Sequence, residues 1–202
     1  MIPAEKNTFT TIFSTRISDA LNTAKVCHTI TFIPPKRATH SFLLSSFDGE
    51  IGRPIFYGNL LMDKGVMVPT PVLRYSGFLL THIDSQKDIS EFNGQLGYVR
   101  GISWMESLLS KYNDMNAISI STVDLMVKMF KARRLDGILI STNFLKKYPE
   151  LRHDYPSSKV MNLTDHIWLN VNKKHLVPII DSALQNYLKN NHTFLRDNQT
   201  SN

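Results

Sequence analysis

The chain has 202 residues, 42% of them hydrophobic, and a formal net charge of +6 at pH 7. That length fits one domain or two small lobes with a folded core, and the scattered Lys and Arg, forming no block, argue against nucleic-acid binding. The single cysteine, Cys27, excludes an internal disulfide and a thiolate zinc site, and no apolar run approaches the ~20 residues of a membrane span.

The first residues, "MIPAEKNTFTTIF", lack a basic segment followed by an apolar one, so they predict no export signal. "NTFTTIFSTRISDALNTAK" predicts a helix, with Phe9, Ile12, Phe13, Ile17, Ala20, Leu21 and Ala24 on one stripe. The β-branched "VCHTITFIP" predicts a strand that Pro34 and Pro35 stop. "PKRATHSFLLSS" predicts a helix opened by Pro35, and "GEIGR" a short strand edge. The next stretch, with Gly58, Gly65, Pro69 and Pro71, reads as irregular. "SGFLLTHI" predicts a strand, and the polar residues Asp84 to Asn93 predict a boundary between lobes.

Beyond that gap the alternation is regular. "LGYV", "AISI", "LDGILIS" and "DHIWLNVN" predict strands. "SWMESLLSKY", "TVDLMVKMFKARR", "NFLKKYPE" and "LVPIIDSALQNYLKNN" predict the helices between and after them. Val123, Met126, Val127 and Phe130 form one inward face, and Val177, Ile180, Leu184 and Leu188 another. The tail "RDNQTSN" is polar. Strands alternating with helices predict an α/β fold with mainly parallel sheets and flanking helices.

In open α/β sheets ligands bind beyond the carboxyl ends of strands, where helix N-termini offer free N–H groups. Arg100 ends the strand "LGYV", Gly101 permits a sharp turn, and Ser103 and Trp104 open a helix. That constellation suits a small carboxylate or similar anion, and it equally fits a solvated Arg beside a packing Trp. Arg53, and Ser141 with Thr142, recur at similar strand ends, and Arg74 with Tyr75 stands at the entry of a strand. The seven histidines show no i,i+4 pair on a helix, so no metal site is expected. Phosphate-loop, dinucleotide, nucleophile-elbow and zinc-protease motifs are all missing. Cys27 beside His28 reads as a buried structural thiol, and Asp48, Glu50 and Asp136 as turn or capping residues, so no catalytic residue or cofactor is assigned.

Four stretches carry a resemblance. "FIPPKRATHSFLLSSFDGEIGR", "VPTPVLRYSGFLLTH", "QLGYVRGISWMESLL" and "ISISTVDLMVKMFKARRLDGILIS" together resemble, in that order, the type II periplasmic solute-binding proteins of family 3, the amino-acid-binding group. The likeness spans about residues 8–190. It implies two α/β lobes joined by crossing strands and closing on a small ligand. One lobe is expected over 1–82 plus 172–202, the other over 85–168. The implied ligand-facing residues are Arg53, Tyr75, Arg100, Ser103, Trp104 and Ser141, with Arg37 matching a helix arginine of either ligand or structural role.

The resemblance further implies a small polar or anionic ligand, a membrane permease or sensor as partner, no nucleic acid and no membrane insertion. It implies a periplasmic location for the family, whereas the chain as it begins at Met1 reads as cytoplasmic. Two departures stand out. Family members open with a strand before the first helix, where this chain has only "MIPAE"; a lobe without that strand is expected to expose unpaired backbone groups, unless the natural start lies further upstream. Amino-acid binders also place an Asp, the partner of the ligand ammonium, where this chain has Ser141. The expected function is solute binding for ABC-type uptake or sensing. The rivals are an enzyme on the same fold and a module that acts through protein contacts alone.

Overall fold

The structure, a computed structural model, describes residues 1–2, 8–82, 88–191 and 193–194. Its elements run α1 (Thr8–Thr23), α2 (Pro35–Leu43), β1 (Gly49–Pro54), a 3-10 helix (Ile55–Leu60), β2 (Gly65–Met67), β3 (Leu73–Thr81) and β4 (Leu96–Val99). Then come α3 (Ser103–Leu109), β5 (Ala117–Ile120), α4 (Val123–Lys131), β6 (Gly137–Ser141), α5 (Thr142–Leu145) and α6 (Pro149–Asp154). β7 (Ser157–Asn170), a second 3-10 helix (Val171–Leu176) and α7 (Val177–Asn191) complete the chain. Two compact units result: Met1–Arg74 with Thr164–Asn202, and Tyr75–Leu163. The chain passes from one to the other within β3 and within β7. Of the polar stretch expected at the boundary, residues 88–93 fall in the second unit, and 84–87 lie outside the described residues, as does the tail 196–202.

In the first unit, β1 and β2 both pair antiparallel with the second half of β7. Side chains alternate along a strand, so Ile167 and Leu169 join one core while Trp168 joins another. The first core holds Phe13, Ile17 and Leu21 of α1 with Ile180 and Leu184 of α7; the second holds Phe42, Tyr57 and Leu61. Ile12 is exposed rather than inward, because about 100° per residue carries it far round the helix from Ile17. The side chain of Phe9 lies outside the described residues.

The expected strand over 26–34 does not form; a single parallel bridge, Ile2 to Phe32, takes its place. A strand needs a partner along its length, and the described partner here is two residues long. Those two residues are well paired on both sides: Ile2 N–H donates to Thr31 O (2.8 Å) and Ile33 N–H to Ile2 O (3.1 Å), while Ile51 N–H donates to Met1 O (2.8 Å). The Met1 nitrogen donates to Gly49 O (2.7 Å). The backbone groups expected to lie open beside β1 are therefore satisfied at this level. Without a strand around it, Cys27 is exposed, not a buried structural thiol. The stretch read as irregular contains the first 3-10 helix and β2.

The second unit carries the regular alternation. β6 pairs with β3 antiparallel and with β4 parallel, and β4 pairs with β5 parallel. Parallel pairing is confined to β4, β5 and β6 among these ladders, a smaller share than the alternation predicts, since β7 returns antiparallel to strands made early in the chain. Every residue of β6 is buried, as befits a strand covered on both faces. Met126, Val127 and Phe130 cover the sheet from α4 as expected. "NFLKKYPE" splits into two short helices because Pro149, which lacks an N–H, starts a new one.

Candidate functional site

Register brings the expected residues of the second unit to one edge. Gly77 of β3 pairs with Ser141 of β6. Leu96 and Gly97 pair with Gly137 and Ile138, and Leu96 to Val99 with Ala117 to Ile120, so Arg100, Ser121 and Ser141 stand at or just past the carboxyl ends of three neighbouring strands. Neighbouring strands lie about 4.8 Å apart, so these backbones form a row across the carboxyl ends of β4, β5 and β6. The N-termini of α3, α4 and α5 start from the same edge, and β3 enters there with Tyr75, half-buried, and Ser76.

Arg100 is exposed; its Nη2 donates to Ser119 Oγ (3.2 Å) and its backbone N–H to Ile120 O (2.9 Å). Gly101 has φ +83°, a left-handed conformation that glycine adopts without strain, and a Cβ there would touch nothing within 4 Å. Its N–H donates to Glu106 Oε1 (2.8 Å), so a carboxylate already faces the start of α3. Ser103 is half-buried at the first position of α3. Trp104 is buried and packs against Gly77, where a Cβ would come within 2.7 Å of its ring. Ser141 is buried, ends β6 and gives α5 no side-chain cap. Thr142 Oγ1 accepts from Ser76 N–H (2.8 Å) and donates to Ser76 O (3.0 Å), while Ser76 Oγ donates to Asn162 Oδ1 (3.2 Å).

Sequence reasoning passed over several of these groups. Glu106 was signalled by the Ser103-x-x-Glu106 spacing of a capping box, although here the carboxylate reaches Gly101 rather than the cap residue. Asp124, in the first turn of α4, accepts from Lys147 Nζ (2.7 Å) and from the Tyr148 hydroxyl. Those donors hold its carboxyl below the usual range, and the same contacts raise the Lys147 ammonium. No sequence spacing announces this trio, because Asp124 lies on α4 while Lys147 and Tyr148 sit in the turn between α5 and α6, more than twenty residues away.

Arg53 belongs to the first unit and is committed there. Its Nη2 lies 3.1 Å from Glu50 Oε1 and 3.1 Å from Thr39 Oγ1, and its guanidinium sits 4.8 Å over the Tyr57 ring. The Tyr57 hydroxyl donates to the other oxygen of Glu50, and its oxygen lies 3.2 Å from Thr39 Oγ1. Burial and the neighbouring carboxylate push the Tyr57 hydroxyl well above its ordinary pKa. Glu50 is fully buried, so it is the carboxylate core of this cluster rather than the turn residue expected. Arg37 is exposed on α2. Asp136 keeps a turn role, accepting from Gln95 N–H (2.7 Å), and Asp48 pairs with Lys173 (3.2 Å). Among the described residues no cluster of His, Cys, Asp and Glu fits a metal ion, and no helix is long and apolar enough to cross a membrane.

No protein-family model matches the chain, and no curated protein matches it. Solved structures do. A mutant of ArgBP from T. maritima superposes with a TM-score of 0.70 at 14% identity, over 91% of this chain and 81% of its own. The GluR0 ligand-binding core from Nostoc punctiforme, in complex with L-glutamate, reaches 0.68 at 14%, over 90% and 86%. The amino acid ABC transporter substrate-binding protein AbpA from Streptococcus pneumoniae, bound to L-arginine, reaches 0.67 at 12%, over 90% and 79%. At such identities the likeness speaks for the fold alone: this chain has the α/β fold of these ligand-binding structures.

Proposed function

We propose that the protein is a solute-binding module that captures a small polar, anionic molecule, working in uptake with an ABC-type permease or in sensing. The observation that carries this is the row at the carboxyl edge of the second unit, where Arg100, Ser141, Ser103, Tyr75 and Ser76 meet three helix N-termini. Such an edge offers a guanidinium, hydroxyls and backbone N–H groups to an anion. By this reading Trp104 walls the edge, while Arg53, expected among the ligand-facing residues, is engaged by Glu50 and Thr39 within its own unit. The similar structures carry L-glutamate and L-arginine in their own sites, which favours a ligand of amino-acid size. A binding role without catalysis, outside the cytoplasm, goes with that reading.

Ser141 sets the preference. A hydroxyl there hydrogen-bonds but offers no full charge to an ammonium. Losing a charged partner costs about 1.5–3 kcal/mol, roughly ten- to a hundredfold in affinity. An organic acid is therefore favoured over a cationic amino acid. A thermal-shift screen of organic acids and amino acids tests this on the wild type and on Arg100→Ala. The expected result is the largest shift with an organic acid, lost in the variant. A largest shift with lysine or arginine, unchanged in Arg100→Ala, would reject the reading.

A further inference from the structure

Several large apolar side chains stand out into solvent at one end of the first unit. Met62 is 80% exposed, Leu44 65%, Leu60 55% and Val171 45%. They come from separate short segments that hydrogen bonds draw together. Val171 N–H donates to Lys64 O (2.8 Å), Lys64 Nζ to Leu43 O (3.1 Å), and Asn170 Nδ2 to Ser45 Oγ (2.8 Å). The turn that carries Met62 is unusual. Met62 and Asp63 both have positive φ, 47° and 65°, which a methionine rarely adopts. Leu61, just before, is fully buried, and Lys64 N–H closes the turn on Leu61 O (2.8 Å). The turn thus keeps Leu61 in the core and carries the next side chain, Met62, outward.

The charges round these tips lean positive. Lys64, Lys173 and Lys174 border them, against Asp63 and Asp48, and Lys173 already pairs with Asp48 (3.2 Å). Apolar side chains that protrude singly, with ammonium groups at their base, match a surface of acyl chains under anionic headgroups. A fluid bilayer accepts such tips without a shaped counterpart, whereas a protein partner would need hollows to receive each one.

We propose that this end of the first unit docks on an anionic lipid surface, with Met62, Leu60, Leu44 and Val171 seated below the headgroups and Lys64, Lys173 and Lys174 against their phosphates. The seat is peripheral and calls for no spanning segment. It does not depend on the solute-binding reading, since it uses none of the residues at the carboxyl edge.

Co-sedimentation with vesicles of phosphatidylglycerol and phosphatidylcholine, beside vesicles of phosphatidylcholine alone, tests it. The wild type is expected to pellet with the anionic vesicles at least tenfold better than with the neutral ones. Met62→Ser with Leu60→Ser should lower that partition about tenfold while leaving the melting temperature of these exposed positions nearly unchanged. Lys173→Glu with Lys174→Glu should remove the lipid selectivity. A Met62→Trp variant adds a direct reading: doxyl-labelled lipid should quench its emission beyond that of the wild type. No pelleting with anionic vesicles, pelleting indifferent to Met62 and Leu60, or no added quenching would each overturn the proposal. So would self-association without vesicles that Met62→Ser abolishes, because the patch would then pair two copies of this chain.

Discussion

Two arginines hold like positions at strand ends yet live in opposite environments. Arg53 is buried in the first unit, bonded to Glu50 and Thr39 over the Tyr57 ring. Arg100 is exposed in the second unit and touches one serine hydroxyl. The first has its charge neutralised at 3.1 Å by a carboxylate that no water reaches. The second keeps its charge available. A guanidinium in a sequence is therefore not yet a ligand group; what matters is whether a carboxylate folds beside it. Within the buried cluster each charge depends on the other, so removing either one alone is costly.

The largest effect expected from this contrast follows Glu50→Gln. The variant keeps the shape but leaves the Arg53 guanidinium buried without a counter-charge. Removing one partner of a buried pair costs about 3–5 kcal/mol. Urea unfolding should show the loss. The same change at Glu106, whose carboxylate is exposed at the start of α3, should shift the midpoint far less. Equal losses at the two sites would erase the distinction between them.

This contrast was not legible in the sequence, for a physical reason. Residues 50 and 53 on a regular strand point to opposite faces. A β-bulge between Ile51 and Arg53, with Gly52 at φ +84°, adds a residue and turns both side chains to one side. Periodicity cannot announce a bulge that the partner strand β7 imposes from more than a hundred residues away. The same holds for residues 26–34, whose β-branched content suggests a strand but whose described partner is only Ile2. The second unit was far more legible. β4, α3, β5, α4 and β6 follow one another with short turns, so local pattern and neighbour pairing agree. The residues at its carboxyl edge were readable too, because strand ends and Gly turns mark them; the bonds from Glu106, Ser119 and Asp124 needed the fold.

The next effect separates the units by pH. His166 of β7 is buried in the first unit, with Nδ1 bonded to Val68 O (3.0 Å) and Nε2 to Thr164 Oγ1 (3.1 Å). Burial lowers its pKa below 6.5, and Arg74 pushes the same way, against the backbone bonds and Asp181. A group with a depressed folded pKa that is neutral when buried stabilises the fold fully above its unfolded value. That share is lost as pH falls from about 6.5 through the folded pKa. The melting temperature should therefore decline between neutral and mildly acid pH. His166→Gln, which can still donate to Val68 O, should decline less over that window. A variant with the wild-type slope would show that the acid sensitivity arises elsewhere.

The smallest stability effect is expected at Arg100, and its smallness is the point. Arg100→Ala removes one hydrogen bond to Ser119, whose hydroxyl then turns to water at no great cost. The backbone N–H of residue 100 still donates to Ile120 O, so the strand end and the Gly101 turn keep their geometry. Glu106 still holds Gly101 N–H. Surface substitutions of this kind stay within about 0.5 kcal/mol. Without ligand, the unfolding midpoint of Arg100→Ala in urea should match the wild type to that margin. A loss of several kcal/mol would mean that the guanidinium is structural, as at Arg53, and that the difference between the two arginines lies in exposure alone. A match would leave the Arg100 charge free for the anion that the proposed function assigns to it.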